Sequence, residues 1–382
     1  MHVAVVLAFL VYPHLYDILT VEVPATQAFL PQISTGIFIL YFGLFAISFD
    51  FISGYTGYLS FGHAAFYGAG GYFVVLAGNG KLPLVGPETP YVFLILGAAV
   101  VALLLSVAIG LLSFRLTGVY FAMITLGFGQ VLYVVSESWR WLGSSPSEGL
   151  ETGANFVFGV PYTDLGLELG FYGSEVEILN IYNNPEFVAF YVIGFVVLIC
   201  YLAMQRMIHS PFGRAMIAIR ENEERARAIG YNTLVYKLGA FMISAFFAGV
   251  AGALWAGYQN GVSPDEGFYF LVTGNALLAS IIGGLGTLVG PLYGWIFTES
   301  VDEFLAPESQ GGGLQALLEG VLPESGVQIL EAVMTGHAGL YLGIIFVVFV
   351  LFVPGGLIGS IRARVGNTSI AKAVSQRIEQ LR

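Results

Sequence analysis

Few side chains in this sequence are placed to carry chemistry. Ser60 and His63 stand three positions apart in an apolar, glycine-rich run, GYTGYLSFGHAAFYGAGGY at 54–72. A hydroxyl beside an imidazole suggests nucleophilic catalysis, but no second catalytic partner accompanies the pair. The remaining histidines, at 2, 14, 209 and 337, give no pair at ligand spacing on one helix, so no metal site is expected. The single cysteine, Cys200, sits in an apolar run and reads as a small buried hydrophobe. No GxxxxGK[ST] phosphate loop, HExxH or GxSxG occurs, so no cofactor is expected in this chain and it is not expected to cradle ATP itself. Asp50, near the end of an apolar stretch, is the one carboxylate that an ion-coupled transporter could use.

The most informative polar stretch is HSPFGRAMIAIRENEERARAIGYN at 209–232. It reads as two short helices. Ser210 is a natural N-cap with Pro211 at the first helical position. Asn222 can cap a second helix whose first turn carries Glu223 and Glu224, where acids favour the helix dipole. Arg225 and Arg227 fall towards its end, and Gly230 is placed to terminate it. A polar helical hairpin between apolar segments is either a surface made to be touched or a solvated loop.

The elements around these residues follow from composition. Of 382 residues, 57% are hydrophobic and 10% charged, too little charge to cover an ordinary soluble surface. The 50 glycines suit closely packed transmembrane helices. The fold class expected is an all-α polytopic membrane protein. Stretches of about 20 apolar residues fall at 3–19, 33–52, 58–78, 90–112, 118–136, 187–207, 235–258 and 338–358. The long run 268–304 is broken by GGLGTLVGP at 283–291 and supplies two more, giving about ten spans. Met1–Leu19 lacks the basic start and cleavage site of a signal peptide and is read as a retained helix.

Positive residues orient such a chain. Segment 206–237 and the tail 361–382 hold 11 of the 14 Lys and Arg, which places both, and both termini, on the cytoplasmic side of the cell membrane. Loops 137–186 and 299–337 then lie outside. Each has a net charge of −7, so together they account for more than the whole formal charge of −11. Their acidity suits either a docking partner or a high-salt surface. The absence of a basic stripe excludes nucleic acid as a partner. Residues 1–360 are read as one membrane domain, 208–232 as a cytoplasmic loop within it and 361–382 as a tail.

Glycines let helix backbones meet and tolerate unwinding, as transporters use near their sites. Ser60, Gly62, His63, Gly68, Gly283, Gly284 and Gly286 are therefore candidates for a translocation path or gate. A hydrogen-bonded core histidine and a tight interhelical turn are the plainer readings of the same residues.

The run ERARAIG at 224–230 resembles the EAA-loop of ABC importer permeases, with Glu224, Ala226 and Gly230 in register and Arg225 where Ala is usual. GYTGYLSFGHAAFYGAGGY, RLTGVYFAMITLGFGQ (115–130), SPFGRAMIAIRENEERARAIGYN (210–232) and IIGGLGTLVGP (281–291) together resemble the branched-chain amino acid permeases of the LivH/LivM type, over roughly residues 33–359. Segment 299–337 is longer and more acidic than usual there, and Gly355 stands where Arg is common. Ser147, Glu148, Gly149 and Leu150 are similar to the family's Ser-Asp-Gly-Leu. The resemblance implies a permease without catalytic activity of its own, working between an extracellular solute-binding protein, a second similar permease and two cytoplasmic ATPase subunits that bind ATP and Mg. It also implies that Pro211, Gly213, Arg214, Arg220, Glu221, Glu224, Ala226 and Gly230 couple the chain to those ATPases. Branched-chain or other hydrophobic amino acids are the solutes implied; urea, amides or another small solute is the alternative, and an ion-coupled secondary transporter stands further off.

Overall fold

The structure, a computed structural model, describes residues 11–16, 31–142, 145–152, 185–305 and 338–360 except 354. Most of the first expected span, much of both acidic loops and the 361–382 tail lie outside these residues. The described chain is helical: α1 (Ile33–Thr56), α2 (Ala64–Gly78), α3 (Tyr91–Ser113), α4 (Val119–Ser138), α5 (Pro185–Ile208), α6 (Pro211–Glu221), α7 (Glu223–Ala228) and α8 (Thr233–Gln259). After these come a single turn α9 (Pro264–Gly267), then α10 (Phe270–Gly283), α11 (Gly290–Leu305) and α12 (Ala338–Phe352).

The protein is an all-α, multi-pass membrane protein. Among the described residues, six stretches are long and apolar enough to cross a bilayer: Ile33–Thr56, Tyr91–Ser113, Val119–Ser138, Glu186–Ile208, Thr233–Gln259 and Pro264–Gly283. The expected count of about ten is not reached among the described residues. The stretch expected to span from 58 to 78 is helical only from Ala64, giving 15 residues or about 22 Å of helix. The reason is local. Gly57 adopts φ +78° and closes α1 with its N–H on the Ser53 carbonyl at 3.1 Å. The chain then forms no helix until Ala64, whose N–H is taken by the Thr273 hydroxyl at 2.8 Å.

α1 and α8 form the centre of the bundle. α8 packs on α1, α2 and α3, while α1 also meets α5, α10 and α11. A helix apolar on every face must be buried or face lipid, and α1 is buried along nearly its whole length. α3 and α4 instead keep an open apolar side, including Phe93, Leu96, Val100, Leu104, Met123 and Val131.

Lipid offers no gain for apolar contact as such, so helix association rests on close van der Waals packing. The α2–α8 seam supplies it. A Cβ on Gly252 would stand 1.9 Å from the Tyr67 carbonyl oxygen, so only glycine lets the two backbones meet there. Beside the seam, the Tyr67 and Trp255 rings stack at 5.1 Å, and Phe42 lies 4.1 Å from Trp295 on the α1–α11 side.

The two ends of α8 mark the two ends of the bundle. At its C-terminal end, two-residue strands β1 (Leu150–Glu151) and β2 (Gly261–Val262) pair antiparallel, with Leu150 opposite Val262. Ser147–Leu150 therefore lies clamped against the chain leaving α8. Lys81 donates to the Trp141 carbonyl at 3.1 Å and Asn79 to the Glu151 carbonyl at 3.0 Å, closing the same end. At its N-terminal end sits the helical hairpin α6–α7.

Candidate functional site

The hairpin forms for the reasons its sequence contains. The Ser210 hydroxyl accepts from the Gly213 N–H at 3.4 Å, with Pro211 next in line, and starts α6. Asn222 ends α6 and starts α7, its Oδ1 accepting from the Arg225 N–H at 2.8 Å. Gly230 takes φ +97°, and the Tyr231 N–H reaches the Ala226 carbonyl at 3.1 Å, a terminal arrangement that favours glycine.

α6 is amphipathic. Gly213, Ala215, Met216 and Ile219 are buried against the bundle, and Pro211, Arg214, Ile217, Arg220 and Glu221 are exposed. A Cβ on Gly213 would stand 2.1 Å from the Ile208 carbonyl oxygen, so the tight turn from α5 into α6 needs glycine. On α7, Ala226 is buried while Glu224, Arg225 and Arg227 face outwards. Beyond it Ile229 is 69% exposed, a large apolar side chain beside a charged surface.

Two polar joints fasten the hairpin to the bundle. In the first, Glu223 gathers four donors. Its Oε1 accepts from Lys237 at 2.8 Å, Thr233 at 3.0 Å and Arg227 at 3.0 Å, and its Oε2 from the Tyr58 hydroxyl at 2.8 Å. Lys237 also donates to the Tyr58 oxygen at 2.9 Å and lies over the Tyr58 ring, 4.7 Å from its centroid. Burial pushes the Glu223 carboxyl up, but the Lys237 and Tyr58 hydrogen bonds and the lysine charge outweigh it, so the carboxyl is held below its ordinary range.

The second joint lies at the end of α1. Arg220 donates to the Gly54 carbonyl, and one helical turn earlier Asp50 Oδ1 accepts from the Gly286 N–H at 2.9 Å. Gly283, Gly284 and Gly286 belong to the turn between α10 and α11. A Cβ on Gly283 would fall 1.7 Å from the Gly290 oxygen, while Gly284 and Gly286 take φ of +113° and +80°. A cavity of about 280 Å³ opens beside this turn, lined by Tyr55, Tyr201, Gln205, His209 and Thr287 among others.

Ser60 and His63 lie elsewhere, buried inside the bundle. His63 Nε2 sits 3.2 Å from the Ser48 hydroxyl and 3.3 Å from that of Ser244. Ser48 donates to the Phe45 carbonyl at 2.6 Å and Ser244 to the Ser48 carbonyl, so both hydroxyl oxygens are free to accept, and the fitting tautomer carries its proton on Nε2. Phe45, Phe49 and Phe66 surround the ring. No carboxylate meets Nδ1 among the described residues, so the triad logic of a hydrolase is missing there. Gly62 lies against α4, where a Cβ would meet the Thr125 oxygen at 1.9 Å, and Gly68 faces the Phe268 ring.

The structure thus joins Arg220 to Gly286 through α1, and it leaves Ser60, Gly62, His63 and Gly68 as a separate internal group. Glu223, Tyr58 and Lys237 were not legible as a set. Tyr58 is 165 residues from Glu223 and 179 from Lys237, and a lysine just inside a helix gives no local sign of its partner. Among the described residues, no group of three His, Cys, Asp or Glu side chains could hold a metal ion.

Residues 33–306 match the family model for the branched-chain amino acid transport system permease component. The chain is 28% identical over 258 residues to the high-affinity branched-chain amino acid transport system permease protein LivM of Escherichia coli K12, covering 64% of this chain and 56% of that protein. It is 25% identical over 128 residues to the probable LivM of Methanocaldococcus jannaschii, covering 33% of this chain and 37% of that protein. Over 119 residues it is 30% identical to the autoinducer 2 import system permease protein LsrC of Photorhabdus laumondii, covering 30% and 35%. The chain thus spans little more than half the length of the first of these relatives, and no solved structure matches it. A capped, charged hairpin fastened across the end of a glycine-seamed helix bundle agrees with that match over most of the chain's length, and the chain belongs to the branched-chain amino acid transport system permease family.

Proposed function

We propose that this chain is one membrane half of an ATP-driven importer for branched-chain or similar hydrophobic amino acids. The observation that carries the reading is the hairpin α6–α7: it is fixed to the bundle by two polar joints yet presents Arg214, Glu221, Glu224, Ile217 and Ile229 outwards. A rigidly mounted element with an open, mixed surface suits a partner that pushes it. The positive residues of 206–237 put this end in the cytoplasm of the cell and the acidic segments 137–186 and 299–337 outside.

In this reading two separate ATPase subunits bind ATP and Mg and engage the hairpin through Pro211, Arg214, Glu221 and Glu224, while Arg220 fastens it to α1. Gly213, Ala226 and Gly230 hold its shape. A second, similar permease completes the solute path, and a solute-binding protein delivers to the acidic outer face. Access alternates because the partner's contacts differ between the two states. Ser60, Gly62, His63 and Gly68 are assigned to the inner packing beside the path, and Gly283, Gly284 and Gly286 to a turn that moves with the gate.

Reconstitution in liposomes with the second permease, the ATPase and the binding-protein subunits tests this. Leucine, isoleucine or valine uptake that requires ATP is expected; uptake that proceeds unchanged without ATP overturns it. A second reading, transport of a different small solute, is favoured by the LsrC relative, which belongs to an autoinducer 2 import system. Titrating the partner binding protein with each solute class separates the two.

A further inference from the structure

α1 ends in a way that needs something from outside the helix. The last four carbonyls of a helix have no partner within it. Here the Ser53 carbonyl is taken by Gly57, and the Gly54 carbonyl is taken by the guanidinium of Arg220 from the hairpin. A positive charge at a helix C-terminus is also favoured by the helix dipole.

One turn back on the same helix, Asp50 is fully buried and accepts the Gly286 N–H through Oδ1. A Cβ on Gly54 would stand 2.4 Å from Asp50 Oδ1 and 2.6 Å from the Gly286 nitrogen, so this contact exists only because residue 54 is glycine. From the other side, the Cβ position of Gly286 lies 3.1 Å from Arg220 Nη1. The last two turns of α1 therefore grip the hairpin and the α10–α11 turn at once. Asp50 Oδ2 is buried with no hydrogen-bond partner among the described residues, and the Arg220 charge acts on it. Leaving a buried carboxylate oxygen unpaired is costly, and a guanidinium with five donors is the group best suited to move onto it.

We propose that Arg220 and Asp50 are positioning residues of a latch that ties the coupling hairpin to the 283–291 turn, the guanidinium moving from the Gly54 carbonyl to Asp50 Oδ2 when the hairpin is displaced. The proposal rests on the importer reading for the source of the push, but not for the latch itself. Buried apolar contacts from Ala215, Met216 and Ile219 hold the hairpin down without direction. The latch supplies direction, because each of its hydrogen bonds weakens steeply when bent.

Two measurements on the assembled transporter test it. Hydrogen exchange on the full chain reads the latch without any transport. Arg220→Gln should speed exchange in the 283–291 turn about tenfold, although Arg220 bonds to none of its amides. Asp50→Asn keeps the Oδ1 acceptor and should leave exchange in that turn unchanged at rest. Uptake per ATP hydrolysed reads the moving step: it should fall about tenfold in Asp50→Asn and in Arg220→Gln, and no further in the double variant, with the ATPase subunits still co-purifying. Arg220→Lys should restore part of it. Unchanged exchange in Arg220→Gln, or losses that multiply in the double variant, overturns the latch. Failure of the wild type to couple uptake to ATP would instead overturn the importer reading, leaving the exchange result to decide the latch alone.

Discussion

At Glu223 one carboxylate serves four donors, and one of them, Tyr58, lies 165 residues away in sequence. Lys237 is almost fully buried and pairs with this carboxylate at 2.8 Å. Glu223→Gln should destabilise the hairpin junction by about 3 kcal/mol, the order expected when one member of a buried pair is removed. Thermal unfolding of the purified chain checks it, with Glu224→Gln, on an exposed side chain, expected to change little. The same carboxyl sets a pH dependence. Its folded-state value is lowered, so its contribution is fully present above the ordinary glutamate value of about 4.3 and is lost as pH falls through the lower folded value. Hydrogen exchange of α6 and α7 should accordingly accelerate on acidification below that range, and Glu223→Gln should abolish the step. At Gly286, φ +80° and the nearby Arg220 nitrogen make Gly286→Ala unfavourable by about 1–2 kcal/mol, read as a lower melting temperature.

Among the elements, α7 is the one whose existence rests on its ends. Six residues form too short a helix to persist in water, so the Asn222 cap and the Gly230 turn hold it in place together with the Glu223 joint. Asn222→Ala should cost about 1 kcal/mol and raise exchange in 223–228 more than in α1. α2 shows the opposite case. Its 15 residues are stabilised by contact along the α8 seam rather than by their own ends. Gly252→Leu, which would force Tyr67 and its backbone away, should abolish accumulation of folded chain in the membrane, whereas a Leu at the open position Gly127 should be tolerated.

For the molecule as a whole, the two ends of α8 divide the labour. One end carries the hairpin with its exposed Ile217, Ile229 and Tyr231; the other is pinned by Lys81, Asn79 and the short β1–β2 pair. A membrane protein of this kind keeps apolar side chains exposed where lipid covers them, but Ile229 lies in a charged hairpin between two helices. Ile229→Asp should reduce co-purification with the ATPase subunits at least several-fold while the melting temperature of the isolated chain stays unchanged. Loss of folding in that variant would instead mark Ile229 as part of the bundle.

Much of this was written locally. Apolar length predicted the helices at 33–52, 90–112, 118–136, 187–207 and 235–258, because a bilayer demands runs of that size. Ser210, Asn222 and Gly230 predicted the hairpin, because caps act within three or four residues of themselves. What only the tertiary structure decided was which polar groups meet. The late start of α2 follows from Gly57 and from a hydroxyl on Thr273, 209 residues from the N–H it accepts. Asp50, in the sequence only the one carboxylate that an ion-coupled transporter could use, holds a turn in the structure; Glu223 read as a dipole residue and proved to be the centre of a joint. Caps and hydropathy are interactions between neighbours along the chain and can be read from it. A buried polar contact is satisfied by whatever the packed bundle brings within 3 Å or so, and that is a property of the assembled helices alone.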